Sequence, residues 1–228
     1  MIMIKKLKDY LIFIQFEHTI FALPFALSSY ALVSKKAGFS FLELFLIIIS
    51  LVFARIFGMS MNRIFDVNID KKNPRTSNRG LVVGSISFKG AIFISTLSLA
   101  IFFLAVINLD KLALYLSPIV ILLFLIYPIT KRFTYLCHYF LGLIYFVAPP
   151  AVEIAITGNF SLETLTLGLA GFFWVSGFDL IYAILDIDFD NENNIYSIPS
   201  KFGVSKTKLF ASISHTITFI CILLIGFF

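Results

Sequence analysis

Three polar side chains recur at four-residue intervals where an apolar stretch gives way to a basic loop: Asn62, Asp66 and Asp70. In a helix this spacing stacks them on one face, and Arg55, seven residues before Asn62, falls on the same face. Polar and ionised groups at the mouth of a membrane helix are costly unless they are paired, hydrated or bound to a ligand. This face therefore predicts a polar ligand, with pairing to Asp66 or Asp179 as the alternative role of Arg55.

A second acidic face is predicted further along the chain. Asp179, Tyr182, Asp186 and Asp190 follow one another at intervals of three and four residues, and a shift of 120 positions superimposes the first motif on the last three of them. Opposed carboxylates repel each other unless cations lie between them, and hard oxygen ligands of this kind suit Mg²⁺, which binds one or two carboxylates plus substrate phosphates. Asp188 falls off the shared face and is expected to be solvated.

Basic residues accompany both acidic faces. Arg75 follows the first motif, and Lys131 and Arg132 follow Tyr127 in the sequence YPITKR. Carboxylates that hold Mg²⁺, with Lys and Arg nearby, form a diphosphate site, because the metal bridges phosphate oxygens and the cations offset charge on the leaving group. Each basic cluster taken alone would also serve as a topology determinant of a membrane protein.

The elements that must position these side chains are membrane helices. The 228 residues are 59% hydrophobic and 14% charged, whereas soluble domains are about 45–50% apolar and about 25% charged. Runs of about twenty apolar residues predict helices rather than a membrane barrel. The sequence predicts an all-α, polytopic transmembrane bundle with seven spans, at 11–33, 41–64, 88–107, 112–129, 134–157, 162–186 and 207–228.

The distribution of basic residues predicts the orientation of the bundle. Fourteen of the 18 Lys and Arg residues lie in the N-terminal segment, the loops 65–87, 130–133 and 187–206, and the adjoining helix ends, against three on the opposite side. By the positive-inside rule those loops and the N-terminus are cytoplasmic, which places the protein in the cytoplasmic (inner) membrane. The same rule explains the net charge of +5 without a nucleic-acid partner.

The first predicted span carries two ionisable residues, Glu17 and His18, and has no small-residue cleavage site, so it is interpreted as a retained helix rather than a signal peptide. These two side chains could be polar groups of an acceptor site or could be solvated at the membrane surface. Glu153, after Pro149 and Pro150, is placed near the outer surface and is assigned no role.

Three sequence motifs resemble those of the UbiA superfamily of membrane prenyltransferases. NRIFDVNIDKKNPRT resembles the NxxxDxxxD signature, YPITKRFT resembles the YxxxKR element, and DLIYAILDIDFD resembles the second signature, DxxYAxxDxxxD. They occur in the family's order, and the resemblance extends from about Phe13 to the C-terminus. FEHTIFALPFA and SIPSKFG are most similar to bacterial 4-hydroxybenzoate-type enzymes, especially the branch that prenylates 1,4-dihydroxy-6-naphthoate in a route to menaquinone.

The resemblance implies a function for each motif residue. It implies an aromatic polyprenyltransferase with Mg²⁺ as cofactor, which takes its prenyl group from an allylic polyprenyl diphosphate and gives it to an aromatic acid in quinone biosynthesis. The residues implied to bind Mg²⁺ are Asn62, Asp66, Asp70, Asp186 and Asp190, and the four aspartates among them are implied to carry catalysis. Those implied to bind diphosphate are Asn62, Lys131, Arg132 and Arg75, and those implied for the acceptor site or its polar wall are Arg55, Asp179, Tyr182, Glu17 and His18.

The sequence departs from the family in two respects. The loop that usually reads R-P-L has Arg79-Gly80-Leu81, which removes a rigid residue. Family members usually have nine helices, so residues 1–228 are expected to be a single transmembrane domain shortened at its C-terminus. Two other functions compete with this one: a secondary transporter, whose polar groups belong near the midplane of broken helices, and a CDP-alcohol phosphotransferase, whose DGxxAR motif the sequence lacks.

Overall fold

The computed structural model describes residues 2–15, 17 and 19–228, and the chain there folds into helices joined by short connections. The helices are α1 (Ile2–Phe13), α2 (Thr19–Ala37), α3 (Phe41–Lys72), α4 (Phe88–Val106), α5 (Lys111–Thr130), α6 (Cys137–Thr157), α7 (Leu162–Ala183), α8 (Ile187–Glu192) and α9 (Ile198–Ile225). A short 3-10 helix, Ile184–Asp186, joins α7 to α8. The prediction of an all-helical bundle is confirmed.

Six helical segments of the described chain are long and apolar enough to cross a membrane: α3, α4, α5, α6, α7 continued through α8, and α9. The protein is therefore a multi-pass membrane protein. The predicted first span, 11–33, differs from the structure because α1 ends at Phe13 and α2 begins only at Thr19. Gln15, between them, has a positive φ of 45°, which no α-helix accommodates.

Helix packing brings distant parts of the chain together. α3 packs along α4 and α5, α6 lies against α2, α5 and α7, and α7 packs against α9. The backbones of α6 and α7 approach closely at Gly142, where an added Cβ atom would lie 2.6 Å from the carbonyl oxygen of Phe172. Small residues at such crossings are typical of membrane helix packing, and this crossing fixes the start of α6 against the second half of α7.

One end of the bundle collects the polar residues predicted to be functional. The C-terminal end of α3, the loop at 73–87, the turn between α5 and α6, and the segment from Asp186 to Ser197 all contribute to it. These elements border one cavity, described next.

Candidate functional site: a cavity with a charged mouth

A cavity of about 810 Å³ lies between the helices. Along α3 its lining runs from Ile47 to Asp70, a distance of about 34 Å at 1.5 Å per residue. Apolar side chains such as Leu109 and Ile154 line the end beside Ile47, and charged side chains line the end beside Asp70. The cavity can therefore hold a ligand with a polar head and a long apolar tail.

The first acidic motif lies on one face of α3 at the charged end, as predicted. Asn62, Asp66 and Asp70 all line the cavity, and both aspartates are buried. Lys131 Nζ lies 2.5 Å from Asp66 Oδ2, and Arg79 Nη1 lies 2.6 Å from Asp70 Oδ1. Each buried carboxylate is thus neutralised by a cation from a different part of the chain.

The second acidic motif lies on the same cavity but not on one continuous helix face. The α-helical geometry of α7 ends at Ala183, and the 3-10 turn Ile184–Asp186 intervenes before α8. The predicted continuous helical face from Asp179 to Asp190 is therefore wrong, because i→i+3 hydrogen bonding changes the angular offset at Asp186. Asp186 and Asp190 nevertheless both line the cavity.

Asp186 is held by the loop that follows α3. Asn73 Nδ2 donates to Asp186 Oδ1 over 2.9 Å, Arg75 Nε donates to the same oxygen over 2.9 Å, and Arg75 Nη2 donates to Asp186 Oδ2. This bidentate contact is the strong geometry for guanidinium and carboxylate. The hydrogen bond from Arg75 to Asp186 is also the main reason why the pKa of Arg75 lies above its ordinary value. Arg75 therefore remains charged.

Two further contacts complete the mouth of the cavity. The guanidinium of Arg75 lies 5.2 Å from the centre of the Tyr182 ring, within the range of a cation–π interaction. Asp190 is buried and accepts a hydrogen bond of 2.7 Å from the Ser197 hydroxyl. Tyr182 and Asp190 thus both belong to the polar end.

Lys131 and Arg132 are adjacent in sequence but point to different places. Lys131 caps α5, which continues through Pro128, and its ammonium reaches Asp66 in the cavity. Arg132 is exposed, is absent from the cavity lining, and donates to the backbone carbonyl of Phe65 over 2.5 Å. The structure brings Lys131 to the acidic motifs and leaves Arg132 beside the mouth.

Only some of the residues predicted for the acceptor site line the cavity. Arg55 lines the cavity and donates to the carbonyl of Ile14, and the two aspartates proposed as its partners pair elsewhere, Asp66 with Lys131 and Asp179 with His138. Glu17 is exposed and does not line the cavity. His18 lies outside the described residues.

Four residues of the site were missed at the sequence level: Arg63, Asn73, His138 and Ser197. A buried histidine in an apolar helix is a polar exception that could have been singled out, and Arg63, which is buried and lines the cavity, was counted only among the basic residues that orient the bundle. No sequence pattern indicated Asn73 or Ser197, because the aspartates that they contact lie on other elements of the fold.

The polar end fits a divalent cation that shares its ligands with a phosphate group. Asp66 Oδ1 is buried and has no hydrogen-bond partner among the described residues, and a buried acceptor without a partner is rare. Within the described part of the chain, no three Asp, Glu, His or Cys side chains lie close enough to bind a metal by themselves. Mg²⁺ typically completes its coordination with phosphate oxygens and water, so the donor set matches this ion with a phosphorylated ligand.

The pattern of the UbiA prenyltransferase family matches residues 22–228. The chain is 37% identical over 175 residues to a 4-hydroxybenzoate octaprenyltransferase of Shewanella oneidensis, covering 76% of this chain and 61% of that one. It is 35% identical over 162 residues to the enzyme of that name from Methylobacillus flagellatus, covering 71% of this chain and 55% of that one. The chain thus spans 61% or less of the length of these curated relatives.

Solved structures show the same fold. The apo structure of a UbiA homolog from Aeropyrum pernix K1 superposes with a TM-score of 0.83 at 36% identity, covering 90% of this chain and 77% of that chain. A UbiA homolog from Archaeoglobus fulgidus bound to GPP and Mg²⁺ superposes with a TM-score of 0.73 at 20% identity, covering 95% of this chain and 77% of that chain. At 20% identity, the likeness to the Archaeoglobus fulgidus structure shows a shared fold and no more.

Proposed function

This chain belongs to the UbiA prenyltransferase family, and from that membership we propose that it transfers a polyprenyl group from an allylic prenyl diphosphate to an aromatic ring. The acceptor is of the 4-hydroxybenzoate or 1,4-dihydroxy-6-naphthoate type, and the product enters respiratory quinone synthesis, ubiquinone or menaquinone. Relatives named 4-hydroxybenzoate octaprenyltransferase support the first acceptor. The sequences FEHTIFALPFA and SIPSKFG support the second.

The observation that carries this proposal is the balance of charge at the cavity mouth. Four carboxylates line it, and four basic side chains line it with them: Asp66, Asp70, Asp186 and Asp190 beside Arg63, Arg75, Arg79 and Lys131. Such a mouth is close to neutral, so a free polyanion or a free dication would each unbalance it. A diphosphate bound together with Mg²⁺ brings both signs of charge and satisfies both sets of side chains.

The basic residues bind and orient the diphosphate. Arg75 and Arg79 come from the loop after α3, while Lys131 comes from the end of α5. We propose that these three turn from their carboxylate partners to the phosphate oxygens, with Arg132 beside them at the entrance. Guanidinium and ammonium groups stabilise the charge that develops on the leaving group when the C–O bond breaks.

The three carboxylates released by this exchange would hold the metal together with Asn62 and Asp190. Asn62, Asp66, Asp70, Asp186 and Asp190 would bind Mg²⁺, which supplies Lewis-acid stabilisation of the leaving diphosphate. Oδ1 of Asp66, which is buried and has no hydrogen-bond partner among the described residues, is already suited to this purpose.

The aromatic side chains beside the mouth suit an allylic cation. Phe21, Trp174, Phe178 and Tyr182 line the cavity, with ring centres 6.0 Å apart for Phe21 and Phe178 and 6.3 Å apart for Phe178 and Tyr182. Ring faces attract cations within about 6 Å. The π electrons of the acceptor ring then form the new C–C bond, and loss of a ring proton restores aromaticity. The apolar end of the cavity holds the isoprenoid tail.

The distribution of basic residues supports a cytoplasmic location for the mouth and the N-terminus, in the inner membrane. A diphosphate made in the cytoplasm would then meet the site at the membrane surface.

The proposed function is tested by product formation. Membranes that contain the protein are incubated with Mg²⁺, farnesyl diphosphate and either 4-hydroxybenzoate or 1,4-dihydroxy-6-naphthoate, and products are measured by mass spectrometry. We expect one prenylated acceptor, lost when EDTA removes the metal and lost in Asp186→Asn. Asp188→Asn is the matched control, since Asp188 is exposed and does not line the cavity. Undiminished product from Asp186→Asn, or none from the unaltered protein, would refute the proposal.

A further inference from the structure

A buried histidine contacts one of the cavity aspartates. His138 lies in the first turn of α6 and is only 4% exposed, and its Nδ1 atom lies 2.7 Å from Asp179 Oδ2. The backbone N–H of Ile198, at the start of α9, donates to His138 Nε2 over 3.4 Å. Both ring nitrogens therefore have fixed partners.

These two contacts determine the tautomer of the histidine. A backbone N–H can only donate, so Nε2 must be the acceptor and the proton of the neutral ring must be on Nδ1. The Nδ1–H group donates a hydrogen bond to the carboxylate of Asp179. The fold thus selects the Nδ1–H tautomer and directs it at one oxygen of Asp179.

The surrounding packing holds this pair rigidly. Gly142 lies one turn after His138 and lets the α6 backbone approach α7 closely, which sets the spacing of the two helices beside the His138–Asp179 contact. Ile198 is buried in the core where α7 meets α9. Three helices therefore set the position of one carboxylate.

Asp179 is placed differently from the four aspartates of the mouth. It lines the cavity with its side chain 28% exposed, and it precedes Asp186 by seven residues, or roughly 10 Å along the helix. Tyr127 and Tyr145 line the same cavity. Asp179 thus lies about two helical turns away from the carboxylates proposed to hold the metal.

We propose that His138 is a positioning residue that holds Asp179 as a hydrogen-bond acceptor for the hydroxyl group of the aromatic acceptor. With Oδ2 occupied by His138, the other oxygen is left for the substrate hydroxyl. A hydroxyl that donates to a carboxylate carries more electron density into its ring, which favours attack of the ring on the allylic cation. This inference rests on the proposed function, because it assigns the acceptor side of that same cavity.

The first test separates the two substrates kinetically. In His138→Leu the donor to Asp179 is lost, and we expect the KM for 4-hydroxybenzoate to rise about tenfold, the effect of one hydrogen bond to a charged group. The KM for farnesyl diphosphate should stay within about twofold. In His138→Asn the amide nitrogen takes the place of Nδ1 and should restore most of the acceptor KM. His215→Leu is the matched control, since His215 is exposed on α9 and outside the cavity.

Any general loss of structure would affect both substrates and would not be rescued by asparagine. The inference would be overturned if His138→Leu left the KM for 4-hydroxybenzoate unchanged. It would also be overturned if the KM for 4-hydroxybenzoate and the KM for farnesyl diphosphate rose equally.

The second test does not depend on activity. In protein labelled with ¹⁵N-histidine, the ring signals of His138, assigned by their loss in His138→Asn, should show the proton on Nδ1 and an unprotonated Nε2. Asp179→Asn should shift the Nδ1 signal. A ring protonated on Nε2 and not on Nδ1 would overturn the inference even if the protein transfers prenyl groups. An inactive protein with the Nδ1–H tautomer would instead overturn the proposed function and leave the His138–Asp179 contact established.

Discussion

Removal of the cation beside Asp66 is expected to destabilise the fold strongly. The Asp66 side chain is 2% exposed, and that of Lys131 is 25% exposed. Lys131→Met would leave a buried carboxylate with neither oxygen paired, since Oδ1 already has no partner among the described residues. Breaking a buried pair in this way costs about 3–5 kcal/mol. Because water can reach the pair from the lysine side, we expect the lower limit of that range.

The size of the expected shift makes it measurable. For a chain of this length 1 kcal/mol corresponds to about 2–4 °C, so the unfolding midpoint of Lys131→Met should fall by about 6–12 °C. Cys137 and Cys221 are buried free thiols, so a thiol-reactive fluorescent dye added to the purified protein in detergent reports unfolding as they become accessible. Asp66→Asn removes the charge itself and should shift the midpoint little, and the double variant Lys131→Met/Asp66→Asn should recover most of the loss.

A matched control uses the same substitution at an exposed ion pair. Lys36 Nζ lies 2.8 Å from Glu163 Oε1, but the lysine side chain is 73% exposed, and such pairs contribute little. Lys36→Met should leave the midpoint unchanged. If Lys131→Met shifted it no further than Lys36→Met does, or if Asp66→Asn failed to rescue it, the buried pair would not have the strength argued from the structure.

Two other substitutions separate the cavity from the scaffold. Gly58 and Phe124 both line the cavity, and any side chain at Gly58 would overlap the Phe124 ring. Gly58→Val should therefore narrow the apolar part of the cavity and lower transfer from long prenyl donors more than transfer from dimethylallyl diphosphate. Equal losses of activity with long and short donors would contradict this prediction. Glu153 accepts hydrogen bonds from the backbone N–H and hydroxyl of Ser161 and from the hydroxyl of Thr164 at the start of α7. Glu153→Gln should cost about 1 kcal/mol of stability in the same dye assay and leave transfer activity intact, whereas lost activity at full stability would refute this structural role.

The helix faces were predictable because they depend only on local geometry. Residues four apart stack on a helix in any protein, so the spacing of Asn62, Asp66 and Asp70 was sufficient to place them together. Composition was equally sufficient for a helical membrane protein, since few soluble folds tolerate 59% hydrophobic residues. The order of the three motifs then indicated the family, which the comparison over residues 22–228 confirmed.

The partners of those faces were decided by tertiary packing. Lys131 reaches Asp66 across 65 positions and Arg75 reaches Asp186 across 111, and no local rule sets such distances. For the same reason the same role was predicted from the sequence for Lys131 and Arg132, although only Lys131 lines the cavity. The 3-10 turn at Asp186 likewise broke a face that spacing alone had extended.

The sequence therefore determined the chemical groups of the site and their place at one end of a membrane bundle: Asn62, Asp66, Asp70, Asp186 and Asp190. Only the tertiary structure decided that three of the four carboxylates are paired with a lysine or an arginine and that His138 holds Asp179. The physical reason is the range of the forces involved. Hydrogen bonding within a helix acts over four residues of sequence, whereas ion pairs form wherever packing brings opposite charges within a few ångströms.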